Sequence, residues 1–326
     1  MTSPGPLIPG PLGMGGAPLG NLFARIDEAD AAATTQAGWD AGIRHFDTAP
    51  HYGAGLSEMR MGAILRQQNR ADFCLSTKVG RLLRPVPAVP ELDEGFLGAL
   101  PFARTFDYSA GATIRSLEDS CARMGLSSVD VVYIHDCSED WHGTAWTTRF
   151  REAMAGAGKV LSAMRKRGEI KAWGLGVNLV EPALAALEQA DPDIFLIAGR
   201  YTLLDHTALA KLFPACAAKG AKVVLGGPYN SGLLAGGTTF NYETAAPEIA
   251  ARAQAIAAVC ARHNTDLKAA ALQFCAAHPV VATVIPGARN ASEVRQNAAM
   301  MAAPIPADLW ADLKRGNLLP VEAPTP

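Results

Sequence analysis

Six cysteines are scattered through the chain (Cys74, Cys121, Cys137, Cys216, Cys260 and Cys275), and no two of them form a C-x-x-C pair. That spacing excludes a zinc-thiolate cluster and a dithiol redox motif. Most of the six fall in predicted strands or helices, where a thiol is a small buried hydrophobe. Runs of about 18 apolar residues, the length a membrane helix needs, are also missing. The N-terminal stretch MTSPGPLIPGPLGMGG lacks a basic segment and an uninterrupted apolar one, so no signal peptide is expected and the expected location is cytoplasmic. The sequon Asn290-Ala291-Ser292 then carries no meaning. Charge of one sign is absent too. Lys and Arg total 29 against 31 Asp and Glu, a net charge of −2, which argues against nucleic acid or an anionic membrane as partner. No G-x-G-x-x-G turn follows the first predicted strand, since Gly13, Gly15, Gly16 and Gly20 have the wrong spacing. GAGKV at 156–160 is not a phosphate loop either, because Ala153 stands where its first glycine belongs. A nucleophile elbow, a metal-ligating cluster and a catalytic carboxylate pair are equally lacking. Oligomeric state is not legible in the sequence.

The chain does contain a long alternation. Eight short apolar runs, at 11–15, 43–49, 73–79, 129–136, 172–178, 193–199, 222–227 and 281–287, predict strands. Helical patterns lie between them at 27–41, 57–68, 111–124, 149–167, 181–190, 206–219, 247–263, 267–277 and 292–301, with a tail helix at 307–315. Nearly continuous hydrophobic strands alternating with helices imply a parallel sheet covered on both faces. Eight units favour a closed (β/α)8 TIM barrel over an open doubly wound sheet, as one domain over residues 1–326. Residues 81–107 break the rhythm with no clear period. An insertion of this length between the third strand and its helix is expected to be a long active-site loop.

Active sites of such barrels lie at the carboxyl ends of the strands. Those ends read Asp47 followed by Tyr52, Lys78, His135 and Asn178. Taken singly, Asp47 could cap a helix, Lys78 could face solvent and His135 could be a core imidazole. Taken together they make a coherent proton-transfer set. A tyrosine is a poor base at its ordinary pKa of about 10, and a neighbouring ammonium favours the phenolate. A buried lysine needs a carboxylate such as Asp47, and His135 can hydrogen-bond a substrate oxygen.

These residues sit in the segments GIRHFDTAPHYG, LSTKVG, RSLEDSCARMGLSSVDVVYIHD, RKRGEIKAWGLGVN, SGLLAG and VIPGARNASEVRQN. Across nearly the whole chain the pattern resembles the aldo-keto reductase superfamily. The resemblance implies a catalytic tetrad of Asp47, Tyr52, Lys78 and His135. The insertion and the stretch IHDCSEDWHGTAW look like the branch of D-threo-aldose (L-fucose), pyridoxal and L-galactose dehydrogenases, which oxidise a small hemiacetal substrate. Within that resemblance Tyr52 and His135 would touch substrate. Trp141 and His142 would either line its pocket or pack on the barrel rim. A broader aldehyde or ketone reductase is the alternative activity.

The resemblance also implies NAD(P), held without a glycine fingerprint. Met14 and Asp47 would contact the cofactor from the first two strands, and Asn178 would hold the carboxamide. Gly227, Tyr229, Asn230, Ser231 and Leu233 would follow the pyrophosphate, while Gly287, Arg289, Glu293, Gln296 and Asn297 would surround the adenosine. Ala198 and Gly226 stand where the family carries a glutamine and an aromatic that meet nicotinamide, with Tyr229 as the candidate replacement. Gly287 and Glu293 stand where members that prefer NADP commonly carry Lys and Arg. NAD is therefore the expected cofactor, with NADP possible through Arg289.

Overall fold

The computed structural model describes residues 7–326; the first six residues of the stretch read as lacking a signal peptide lie outside it. Eight parallel strands form one sheet: β1 (Met14–Gly15), β2 (His45–Asp47), β3 (Cys74–Val79), β4 (Val131–His135), β5 (Ala172–Val177), β6 (Ile194–Ala198), β7 (Lys222–Gly226) and β8 (Val281–Ile285). Parallel bridges Leu12–Val284 and Gly15–Gly287 join the first strand to the last, which closes the barrel. Among the described residues the eight-stranded sheet therefore keeps no free edge.

Period-two alternation within each strand sorts side chains into two layers. Cys74, Val131, Tyr133, Ala172, Ile194, Leu196, Val224 and Ile285 fill the barrel interior. Phe46, Leu75, Val132, Trp173, Phe195 and Val223 point outward and pack under the helices. The same alternation sends Asp47, Lys78 and His135 inward at the carboxyl ends of β2, β3 and β4. The register then lines them up, with Asp47 beside Ser76 and Lys78 beside Tyr133.

Two predicted helices are broken. The segment 149–167 is helical over Trp146–Ala153 and Lys159–Arg167, with a π-turn at Met154–Gly158 between them. Ala157 N donates to Tyr108 O at 3.0 Å, and a Cβ on Gly156 would lie 2.2 Å from that carbonyl. A backbone approach this close inserts the extra residue, as π-turns do. The segment 206–219 divides at Lys211 into Thr207–Ala210 and Leu212–Lys219, because Pro214 has no N–H for the carbonyl four residues back.

Residues 81–107 are not an irregular loop. Arg81–Pro85 pairs antiparallel with Phe102–Phe106, and Leu92–Asp93 pairs with Phe96–Leu97 at the tip. The pattern went unread because this ribbon rests one face on the barrel mouth and leaves no continuous apolar stripe. Among the described residues no helix is long and apolar enough to cross a membrane. All six cysteines are free thiols, five of them buried.

Candidate active site

Asp47 and Lys78 form a buried ion pair, Nζ to Oδ2, at 2.7 Å. Ser76 Oγ donates to the other carboxylate oxygen at 2.7 Å, and Lys78 Nζ also donates to Thr48 O at 2.9 Å. Gly176 on β5 leaves room for the lysine stem, since a Cβ there would stand 3.4 Å from Lys78 Cε. Burial pushes the Asp47 carboxyl up from its ordinary range, opposed by the Lys78 ammonium. Two charges removed from water are tolerable only with this many hydrogen bonds.

Tyr52 comes from the turn after β2, and backbone-to-backbone contact fixes that turn. A Cβ on Gly20 would meet the Tyr52 carbonyl carbon at 2.5 Å, and Gly53 takes a φ of +63°. Leu100 N, from the hairpin insertion, donates to Gly53 O at 3.1 Å. The half-buried ring of Tyr52 lies with its centroid 4.6 Å from Lys78 Nζ and 6.0 Å from the His135 ring, edge to face. The structure therefore brings the four expected residues together.

The expected electrostatics needs correction. The Tyr52 phenol is pushed well above its ordinary pKa, by burial first and then by the Asp47 and Asp136 carboxylates, with only Arg81 pulling it down. Lys78 does not dominate because Asp47 neutralises it at contact distance. His135 is held well below the usual imidazole range, by burial and then by the Arg81 and Lys78 charges. It stays neutral.

Around this centre stands an aromatic wall. Phe96, from the hairpin tip, packs on His51 at 5.1 Å and on Tyr52 at 6.0 Å between ring centroids. The two residues after β4 separate: Trp141 turns its ring to His51 at 5.4 Å, whereas His142 Nε2 lies 2.9 Å from Tyr108 Oη and packs on Phe106. Trp141 faces the pocket and His142 belongs to the rim. Arg81 and His51 were missed in the sequence. The only available cue was their place, directly beyond β3 and β2.

The remaining expected contacts spread around the mouth. Met14 is fully buried with its sulfur against Gly38 of the helix Glu28–Asp40, so its side chain is turned out of the barrel and only its backbone faces the mouth. Asn178 donates to Asp140 at 3.0 Å, and its carbonyl accepts from Arg200 at 2.6 Å. The Tyr229 hydroxyl donates to Asn297 Oδ1 at 2.7 Å, on the helix Ala291–Ala302. Ser231 Oγ accepts from Tyr242 N, and Leu233 opens a 3-10 turn. Gly287 abuts Pro18, and Gln296 Oε1 accepts from Lys268 Nζ at 2.6 Å, a cation the sequence reading passed over. Arg289 is tied to Glu293 through its backbone N–H at 2.8 Å and its guanidinium at 3.3 Å.

The turn after β7 fits a dinucleotide. Gly227, Asn230, Ser231 and Gly232 all adopt positive φ, and the N–H groups of Asn230, Gly232 and Leu233 bond carbonyls within the turn, which leaves the Asn230 side chain as its open polar group. Asn230 is buried there, and neither its amide nitrogen nor its amide oxygen has a protein partner. Among the described residues no group of three or more His, Cys, Asp or Glu side chains could hold a metal ion.

Residues 11–317 match the model of the aldo/keto reductase family. The pyridoxal 4-dehydrogenase of Microbacterium luteolum is 39% identical, over 94% of each chain. The D-threo-aldose 1-dehydrogenase of a Pseudomonas species is 38% identical, over 95% of this chain and 94% of that protein. An aldo-keto reductase from Bacillus halodurans, solved in its holo form, has the same fold with a TM-score of 0.70 at 23% identity, covering 93% of this chain and 91% of that one.

Proposed function

The chain belongs to the aldo/keto reductase family and is an NAD(P)-dependent oxidoreductase, and from that premise we propose that it oxidises a cyclic hemiacetal to a lactone. The observation that carries this reading is the convergence of Asp47, Tyr52, Lys78 and His135 on one pocket behind an aromatic wall. The relatives named for D-threo-aldose and pyridoxal support the substrate class, since both compounds close into hemiacetals.

When bound, the nicotinamide supplies the hydride acceptor. Asn178 would hold its carboxamide, the turn 227–233 its pyrophosphate, and Gln296 and Asn297 its adenine. His135, neutral, donates to the ring or anomeric oxygen and orients the substrate. Tyr52 acts from its phenolate form, whose charge Lys78 meets across the ring face, and becomes the neutral phenol as it takes the proton of the anomeric hydroxyl. Asp47 keeps Lys78 charged and in place. The hairpin 81–107 is the active-site insertion, and through Phe96 it narrows the pocket to a small ring and excludes bulk water. NAD is the preferred cofactor, because Glu293 occupies Arg289 and opposes a 2′-phosphate.

A panel of L-fucose, D-arabinose, L-galactose and pyridoxal, each with NAD and with NADP, tests the reading. Turnover of an aldose with NAD, with lactone as product, is the expected result. Turnover of pyridoxal alone would move the assignment to the substrate named for the Microbacterium luteolum relative. Reduction of simple aldehydes with no oxidation of any hemiacetal would overturn the reading.

A further inference from the structure

Arg81 has no part in the reaction as written, yet it is buried among the groups that perform it, its side chain 2% exposed. It directly follows β3 and Gly80 and opens the hairpin insertion. Its guanidinium lies between two aromatic faces, 4.3 Å from the Phe106 centroid and 4.4 Å from that of Trp141. One nitrogen, Nη1, donates to Asp136 Oδ2 at 2.7 Å and stands 3.0 Å from His135 Nδ1. Asp136 itself takes a φ of +53°, a turn at the end of β4 that brings its carboxylate back beside the imidazole.

Arginine carries five N–H donors and no acceptor. Its contact with Nδ1 is a hydrogen bond only if that nitrogen offers a lone pair, which leaves the ring's single proton on Nε2. We propose that Arg81 is the positioning residue of the site, holding His135 as the neutral Nε2–H tautomer so that the ring presents a donor to the substrate oxygen. The inference rests on the role given to His135 above. Asp136 explains why such a device is needed, because its Oδ2 lies 3.4 Å from Nε2, outside hydrogen-bond geometry. Without Arg81 this carboxylate would be free to capture the Nε2 proton or to stabilise an imidazolium. With Arg81 present it has a charge-assisted partner at the shorter distance.

The groups facing His135 weigh the same way. Lys78 on β3, Arg81 on the hairpin and His51 on the turn after β2 all oppose a second proton on the ring. Tyr52 meets the ring edge to face, and Tyr108 Oη donates to the His135 carbonyl at 3.0 Å. Against them stands the Asp136 carboxylate, 3.4 Å from Nε2.

The first measurement needs no substrate. Long-range 1H–15N spectra of the histidine-labelled protein, with His135→Gln to assign the signal, should show a bare Nδ1 and a protonated Nε2 from about pH 5.5 to 9, a range spanning the ordinary imidazole pKa. A proton on Nδ1 overturns the proposal. The second measurement is the pH dependence of kcat/KM for L-fucose with NAD in wild type, Arg81→Met and Arg81→Lys, alongside NAD binding followed by protein fluorescence. Wild type should rise with a slope of about one log unit per pH unit, set by Tyr52 alone. In Arg81→Met the slope should steepen to about two below roughly pH 6.5, as His135 titrates into range. Arg81→Lys, whose side chain also only donates, should restore a slope of one, with NAD affinity unchanged throughout. An Arg81→Met profile like wild type, or a Lys variant behaving like Met, would mean that Arg81 merely packs. If Arg81→Met does not fold, the spectra and the Lys variant still decide. Wild type that leaves L-fucose untouched counts against the proposed function, and the spectra then judge Arg81 independently.

Discussion

Tyr52 concentrates the chemistry in one hydroxyl, so its removal separates binding from catalysis. Tyr52→Phe keeps the ring that packs on Phe96 and under Lys78 but deletes the proton acceptor. Turnover should fall by at least about 10²-fold, the lower range for general acid–base catalysis, while NAD binding by fluorescence titration stays within about twofold. Activity near wild type would end the assignment of Tyr52 as base. The direction of its pKa sets a second expectation. Burial and two carboxylates hold the phenol well above 10, so the base form grows about tenfold per pH unit across the whole accessible range. Oxidation measured with chemistry rate-limiting should climb without a plateau from pH 6 to about 10, and reduction should fall over the same range. A plateau near neutrality would show a different base. His135, kept neutral, contributes no acid limb in wild type.

The helix Ala291–Ala302 shows how one side chain serves two ends at the level of an element. Asn290 caps it by accepting from Glu293 N at 2.9 Å, and Glu293 returns a bond to Arg289 N at 2.8 Å, a reciprocal arrangement close to a capping box. Glu293 therefore both starts the helix and silences Arg289. Glu293→Arg should shift the kcat/KM ratio toward NADP by about ten- to a hundredfold, the worth of one charge-assisted contact. The lost cap and the unfavourable cation in the first turn should cost about 1 kcal/mol, read as a melting temperature lower by a few degrees. Glu293→Gln should give the smaller cofactor shift and keep more of the stability. A wild type that already prefers NADP, with the preference abolished by Arg289→Ala, would reverse the reading of this helix. The hairpin insertion and the π-turn at Met154–Gly158 show the opposite case. Their form is set by what they touch, Tyr108 and the barrel mouth, and not by any periodicity of their own.

For the whole molecule, the balance of buried ionisable groups predicts acid sensitivity. His45 is pushed down to about 3 by burial, and His206 to about 4, while His51 and His135 also lie well below 6.5. Groups with a depressed imidazole pKa bind protons first in the unfolded chain, so stability is lost as pH falls below about 6.5. At pH 5 His45 alone accounts for about 2 kcal/mol. The carboxyls of Asp47 and Asp136 are raised, the latter to about 6, and oppose this by taking protons in the folded state. Four imidazoles outweigh two carboxyls, so the melting temperature should drop steadily between pH 7 and pH 4. A flat profile there would mean that these imidazoles are reached by water in the native state.

The sequence by itself determined the number and order of the barrel strands, because a parallel sheet buried on both faces demands apolar runs that nothing else explains. It also singled out Asp47, Tyr52, Lys78 and His135 as a candidate set, since polar residues gathered at one end of such runs are costly unless they work together. Strand alternation then fixed which of them face inward. What only the tertiary structure decided were contacts with no local signature. Arg81 reaches His135 across 54 positions of chain, and Tyr229 reaches Asn297 across 68. The direction of the Tyr52 pKa belongs with these, because it depends on how much water the closed barrel mouth removes and on which carboxylates that closure brings near. Composition and spacing encode which groups are present; burial and distance decide which of their charges prevails.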